Sequence, residues 1–187
     1  MAKVAAGGKL VAPAAVFARN RLVIVVSQGN PAKIESAADL GKPGVKLVLE
    51  APMVPAGKHA RDAFKALSAD PAYGADFAAR VEANVASNEM EIDAVASKVV
   101  LGEADAGVVF VTELTPEVRA KVTTVELPAA YTPLASYPIA ALTGAADPPL
   151  AAKFVAFVLS AQGQAILRRR GFLAPAEPDG RASPPAR

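Results

Sequence analysis

Cysteine and tryptophan are absent from these 187 residues, histidine occurs once, and aromatic side chains make up only 5%. Without cysteine, and with a single histidine, a thiolate-ligated zinc site, an iron–sulfur cluster and a cysteine nucleophile are excluded. An excess of one charge is lacking too. Twenty Lys and Arg stand against 18 Asp and Glu, too even a balance for a strong field toward nucleic acid or an anionic membrane surface. No apolar run approaches the length of about 18 residues that a membrane-spanning helix needs. Residues 1–8 carry one charged side chain, Lys3, and a short Ala/Gly stretch in place of the long apolar core of a secretory signal. The expectation is therefore a cytosolic protein, a mature form or a fragment; lack of cysteine fits any compartment. What is present is a chain 52% hydrophobic, much of it alanine, with 16 prolines and 13 glycines. Its length suits one domain with a real core.

The apolar pattern alternates between strand-like and helix-like segments. Arg21–Val26 is a continuous β-branched run and reads as a buried strand. Ser36 is placed to cap a short helix over Ser36–Leu40, and Val45–Leu49 reads as a second strand. Ala51–Gly57 reads as a loop, and from Lys58 the spacing of Ala60, Ala63, Phe64 and Leu67 turns helical. A further helix is expected within Pro71–Ala83 and a short strand over Val81–Val85. Asn88-x-x-Glu91 has the form of a capping box for a helix carrying Ile92, Val95 and Val99, closed by Gly102. Ala106–Val111, Thr123–Leu127 and Tyr137–Leu142 read as strands, and Leu150–Leu159 and Ala161–Arg170 as helices, the second behind Ser160. After Leu173 the chain is too rich in proline and too poor in large apolar groups to pack, so 174–187 is expected to be disordered. Such alternation points to an α/β fold with mixed sheets covered by helices.

Val54-Pro55-Ala56-Gly57 follows a strand and opens a helix, where backbone N–H groups lack intrahelical partners and carry partial positive charge. Ala56 and Gly57 are small enough to let an anion approach those groups. The helix start over Asn88–Asp93 offers a second set, and two such termini could hold an oxyanion with neutral dipoles. Most strand–loop–helix junctions bind nothing, and Gly57 could serve the turn alone. A general-base role for His59 needs a nucleophile or carboxylate partner within reach, and no G-x-S-x-G or comparable elbow is present, so it reads as part of a solvated face. Glu89, Glu91 and Asp93 alternate along a presumed helix and do not share a face for a metal. Arg168, Arg169 and Arg170 end the last helix, where cations complement the macrodipole. Tyr131 and Tyr137 are hinge or cleft candidates with packing as the default. No nucleophile–base pair is present, so an enzyme is not expected.

Several segments, collinear from about Met1 to Leu173, resemble the molybdate-binding proteins of ABC importers, a family of type 2 periplasmic binding proteins. They include Phe17-Ala18-Arg19-Asn20-Arg21-Leu22, Val54-Pro55-Ala56-Gly57, Gly102-Glu103-Ala104-Asp105-Ala106-Gly107, Tyr137-Pro138-Ile139 and Ser160-Ala161-Gln162-Gly163-Gln164. The resemblance implies two α/β lobes with a tetrahedral oxyanion in the interlobe cleft. It implies a complete second lobe (27–136) and a partial first lobe (1–20 and 143–173), with 21–26 and 137–142 as crossing strands. The family's second-lobe ligands, two backbone N–H groups and a tyrosine hydroxyl, map onto Ala56, Ile92 and Phe110, with Gly57 and Asp93 beside the two N–H groups. Phe110 departs from the pattern because it has no hydroxyl. The family's first-lobe serines have no counterpart here, so binding by this chain alone is expected to be weak or absent.

The function implied is the molybdate- or tungstate-binding component of an ABC importer, without cofactor or free metal ion and without nucleic acid. Its partner would be the importer's membrane permease and its location periplasmic or otherwise extracytoplasmic. The alternative is a truncated or repurposed lobe that binds no anion and acts through protein contacts. Self-association through an exposed first-lobe edge would mark that alternative.

Overall fold

The computed structural model describes residues 1–91, 93–132 and 134–175, so Ile92 and most of the proline-rich tail lie outside the described residues. Contacts divide the chain into two compact units. Among the described residues, one comprises Met1–Asn20 and 134–175, and the other lies within Arg21–Pro133.

The first unit opens with α1 (Ala2–Ala6) and β1 (Ala15–Asn20). The second begins with β2 (Leu22–Ser27), whose Leu-Val-Ile-Val-Val run is buried throughout, as a strand covered on both faces must be. A 3-10 turn at Ala37–Gly41 follows. The Asp39 carboxylate anchors it, accepting from the N–H groups of Glu35 and Ser36 at 2.9 and 2.8 Å. Next come β3 (Leu47–Glu50), α2 (Pro55–Leu67), α3 (Phe77–Ala83), β4 (Val85–Glu89), α4 (Ala94–Val100), β5 (Ala106–Phe110), α5 (Pro116–Arg119) and β6 (Val122–Glu126). These strands form one sheet in the order β4-β3-β5-β2-β6. β3 runs parallel to both β4 and β5, while β2 is antiparallel to β5 and β6. Val23, Val25, Val48 and Val109 of the sheet pack with Val95 and Val99 of α4 in one buried cluster. The expected apolar stripe of α2, Ala60, Ala63, Phe64 and Leu67, is buried, and Phe64 meets Phe77 of α3 edge to face at 6.3 Å.

Two boundaries differ from the sequence reading. The segment 54–57 is not a loop up to Gly57: α2 starts at Pro55, with Val54 as N-cap. Proline suits that first helical position because its φ is preset and its missing N–H would be unpaired anyway. The strand expected over Val81–Val85 starts only at Val85, because α3 continues to Ala83. Asn88 therefore lies in β4, opposite Leu49 of β3, and opens no helix; α4 begins after Asp93. Pairing with a buried central strand outweighs the local capping pattern.

The chain returns to the first unit with β7 (Ala135–Ile139), antiparallel to β1. The strand expected over Tyr137–Leu142 is thus shifted toward the N-terminus, and Leu142 keeps only an isolated bridge to Leu10. β1 itself left no clear signal in the sequence. α6 (Pro148–Leu159) and α7 (Ala161–Arg169) close the unit. Asp147 caps the first, accepting from the Leu150 N–H at 2.9 Å, and Ser160 the second, accepting from the Gly163 N–H at 3.2 Å. Gln164 ties α7 to β1 by donating to the Phe17 carbonyl at 2.9 Å. A Cβ on Gly163 would stand 2.3 Å from the Phe157 carbonyl oxygen, so the Gly-Gln segment serves the packing of α7 on α6. Tyr137 lies between the rings of Phe17 and Phe172 and is within 3.4 Å of Asn20 Nδ2; it is a packing residue of this unit. Ala174 and Pro175, at the start of the segment expected to be disordered, are half-buried. Among the described residues no single helix is long and apolar enough to cross a membrane.

Candidate functional site

Three parallel neighbours, β4, β3 and β5, end on the same edge of the second unit's sheet. Ligand sites in open α/β sheets lie outside such carboxyl ends. β3 leads into the first turn of α2 with Ala56 and Gly57, β4 leads toward Asp93 at the start of α4, and β5 ends at Phe110. The fold thus brings four of the five positions chosen from the sequence to one edge. The fifth, Ile92, lies outside the described residues.

The turn between β3 and α2 is short. The Val54 N–H donates to the Ala51 carbonyl at 2.9 Å, and the Lys58 N–H to the Val54 carbonyl at 2.9 Å. With valine as N-cap there is no capping side chain at that position, so the N–H groups of Ala56 and Gly57 turn to another acceptor. That acceptor is Glu50, the last residue of β3, only 1% exposed. Burial pushes its carboxyl above the ordinary range, and the Ala56 and Gly57 N–H groups it faces offset part of that rise. Its Oε1 has no hydrogen-bond partner.

Gly57 permits this geometry. A Cβ there would meet the carbonyl oxygens of Glu50 and Ala51 at 2.2 and 2.3 Å, so the helix could not start so close to the strand with any other residue. Its first service is therefore helix–strand contact. Arg61 braces the same junction. Its Nη1 donates to the carbonyls of Glu50 and Gly57 at 2.9 and 3.2 Å, while Nη2 reaches Asn88 Oδ1 at 2.6 Å. The guanidinium also pairs with Glu82 of α3, Nε to Oε2 at 3.1 Å.

Phe110 is 5% exposed and meets the His59 ring nearly edge to face at 5.8 Å. His59 is half-buried, which corrects the expectation of a solvated face: it lies one turn after Ala56 and turns toward the end of β5. Three residues beyond Phe110, Glu113 accepts the Phe110 N–H on Oε2 at 3.1 Å. Burial, followed by the nearby charge of Glu50, pushes the Glu113 carboxyl up to about 8 against the pull of that N–H. At neutral pH Glu113 therefore holds its proton while its folded environment persists.

The start of α4 is barer. Asp93 is exposed and its side chain makes no capping hydrogen bond. Glu89 is not on a helix: it ends β4 and is held below the ordinary carboxylate range chiefly by Lys98 of α4, whose Nζ lies 2.6 Å from Oε1. Tyr131 donates its hydroxyl to Asp70 at 2.9 Å. Sequence reasoning missed Glu50 and Glu113. The available signal was an acid ending the apolar run Leu47-Val48-Leu49, and a second acid one turn past the apolar strand that ends at Phe110.

A small-residue helix start with backbone donors at such a sheet edge can receive a small anionic solute. The chain belongs to the bacterial extracellular solute-binding protein family, whose model matches residues 1–173; proteins of this kind bind solutes and are not enzymes. Molybdate-binding protein ModA from Mycobacterium tuberculosis and that from Mycobacterium bovis are each 38% identical to it over 175 residues. The match takes in 94% of this chain and 62% of theirs, so the chain spans less than two thirds of the length of these relatives. Among solved structures, the sulfate-binding protein SubI from Mycobacterium tuberculosis superposes with a TM-score of 0.76 at 21% identity, covering 94% of this chain and 65% of SubI. The periplasmic molybdate-binding protein of Azotobacter vinelandii gives 0.71 at 16% identity, covering 93% of this chain and 74% of that one. These likenesses show the fold, the α/β architecture of periplasmic binding proteins.

Proposed function

We propose that this chain is the solute-binding part of an ABC importer for a tetrahedral oxyanion, molybdate or tungstate. The observation that carries the reading is the 38% identity to proteins named for molybdate binding across 94% of the chain. The site supports it physically, because helix-start N–H groups beside small residues hold anions without a fixed cation. Ala56 and Gly57 supply the first donors, the Ile92–Asp93 segment the second, and Phe110 forms an apolar wall where relatives of the resembled family place a hydroxyl. Donors that can only donate favour a fully deprotonated anion over one that must itself donate. Phosphate, which carries a proton near neutral pH, is disfavoured on that ground, and sulfate on size. The partner is the importer's membrane permease, the location periplasmic, and no cofactor besides the ligand is needed.

The test is an amide NMR titration of the full chain with molybdate, tungstate, sulfate and phosphate. The expected result is that the Ala56, Gly57 and Asp93 amides shift with molybdate and tungstate and respond much less to sulfate and phosphate. Amides that stay unmoved up to tens of millimolar molybdate would overturn the reading.

A further inference from the structure

Glu50 places a carboxylate where the proposed ligand needs donors. It is 1% exposed, it faces the N–H groups of Ala56 and Gly57, and its Oε1 has no partner. A second acid, Glu113, stands near enough to feel its charge, with Oε2 on the Phe110 N–H at 3.1 Å. An oxyanion arriving at the same N–H groups would face a buried like charge, which cannot persist unrelieved in a desolvated site.

We propose that the oxyanion enters this site together with a proton, taken from solvent onto Glu50, so that the unit bound is an anion plus H⁺. This rests on the oxyanion reading above. The proton adds to the carboxylate oxygen that lacks a partner, forming one O–H bond and neutralising one charge. Glu50 then gains an O–H donor on Oε1, and its other oxygen, now part of a neutral acid, becomes a weaker acceptor for the Ala56 and Gly57 N–H groups. Glu113, already protonated at neutral pH, keeps the pair from carrying two charges before the ligand arrives.

Of the other charged groups on the packed elements, Lys58 and Asp62 of α2 pair with each other, and Arg119 of α5 donates to the Leu114 and Val111 carbonyls. Arg61 of α2 binds the Glu50 backbone carbonyl, and Glu89 of β4 is held by Lys98 of α4. Asp93 is exposed at the start of α4. His59 of α2, against Phe110, is a further titratable group at this edge, beside Glu113.

The experiment is a carbon-13 carboxyl titration of the full chain, with and without tens of millimolar molybdate, with amide shifts recorded in the same samples. Saturation is expected to raise the Glu50 midpoint by a pH unit or more, and affinity to weaken up to about tenfold per pH unit across the neutral range, as uptake of one proton requires. Glu50→Gln is expected to flatten that slope and to tighten binding at the alkaline end. Amide shifts that report binding while the Glu50 midpoint stays still would overturn the inference and leave the oxyanion reading standing. A wild-type slope preserved in Glu50→Gln would also overturn it and move the proton to another group at this edge, Glu113 or His59. The wild-type titration decides even if the variant does not fold. No amide response to molybdate at any pH would overturn both.

Discussion

Gly57→Ala separates two accounts of the helix start by the sign of a stability change. Gly57 lies inside α2 and is not among the glycines with positive φ, so its backbone conformation is open to alanine. If flexibility at a turn were its only role, alanine would stabilise the fold by about 1 kcal/mol through helix propensity and lower unfolded-state entropy. The structure argues the opposite. The added Cβ would lie 2.2 Å from the Glu50 oxygen, 2.3 Å from the Ala51 oxygen and 2.6 Å from the Glu50 carbonyl carbon. All three are backbone atoms, so no rotamer relieves the contact, and α2 must lift by about an ångström to restore normal van der Waals separation. Overpacking of this kind costs about 3 kcal/mol, which less the propensity gain leaves a net loss of about 2 kcal/mol. Lifting the helix would also stretch the Arg61 bond to the Glu50 carbonyl, now 2.9 Å. Urea denaturation followed by circular dichroism measures the change, and a drop in Tm of about 4–8 °C should accompany it. A Gly57→Ala protein as stable as wild type, or more so, would refute the close-contact account.

Other predictions follow from the same edge. Glu113 titrates at about 8 in the folded chain against 4.5 for the free side chain. The folded state thus holds a proton that the unfolded state has lost, and unfolding free energy should fall as pH rises from about 5 to about 8 and level off above. Glu113→Gln should reduce that decline, as read by denaturant midpoints across the range, leaving only the part due to Glu50, which burial also raises; an unchanged decline would count against the assignment. Phe110→Tyr should strengthen molybdate binding by up to about tenfold, the worth of one further hydrogen bond, measured by the same NMR titration. Weaker binding would mean the phenol displaces His59 instead of reaching the ligand. Arg61→Ala should destabilise the chain by about 1–3 kcal/mol, because it leaves the Glu50 and Gly57 carbonyls short of a donor; loss of the half-exposed Glu82 pair alone would cost far less.

Legibility from sequence followed the strength of the local signal. Runs apolar at every position, such as Leu22–Val26 and Ala106–Phe110, are buried strands, because no other placement hides both faces. Ser160 caps α7 as its position before Ala161 suggested. The failures lie where partners distant in sequence decide. Val85–Glu89 alternates in burial and carries a helix-capping pattern, yet becomes a strand because β3 offers a parallel neighbour and Arg61 takes the Asn88 side chain. The half-buried state of His59 depends on Phe110, fifty-one positions away, and periodicity cannot supply that contact. Ala56, Gly57 and Asp93 were singled out because they lie at presumed helix starts beyond strands, whereas Phe110 came only through the family resemblance. The signal for Glu50 and Glu113, an acid just past an apolar run, is easily passed over because it reads as the point where the strand meets solvent.

Gly57, Glu50 and the two N–H donors form one mechanical unit, and this limits how the candidate site can vary. The absence of a side chain at Gly57 sets how closely α2 approaches β3. That approach brings the Ala56 and Gly57 N–H groups to Glu50, and β3's interior place in the sheet, between β4 and β5, keeps Glu50 buried. A larger residue at 57 would move the donors away from the acid and lower the stability of the junction together. Glutamine at 50 would keep the side chain's size while removing the charge and replacing one carboxylate oxygen by an amide NH2. The helix start therefore needs the glycine for its geometry, whereas the acid can be replaced by a side chain of the same size. Substitution at Glu50 is thus the cleaner probe of ligand chemistry, and substitution at Gly57 the cleaner probe of fold.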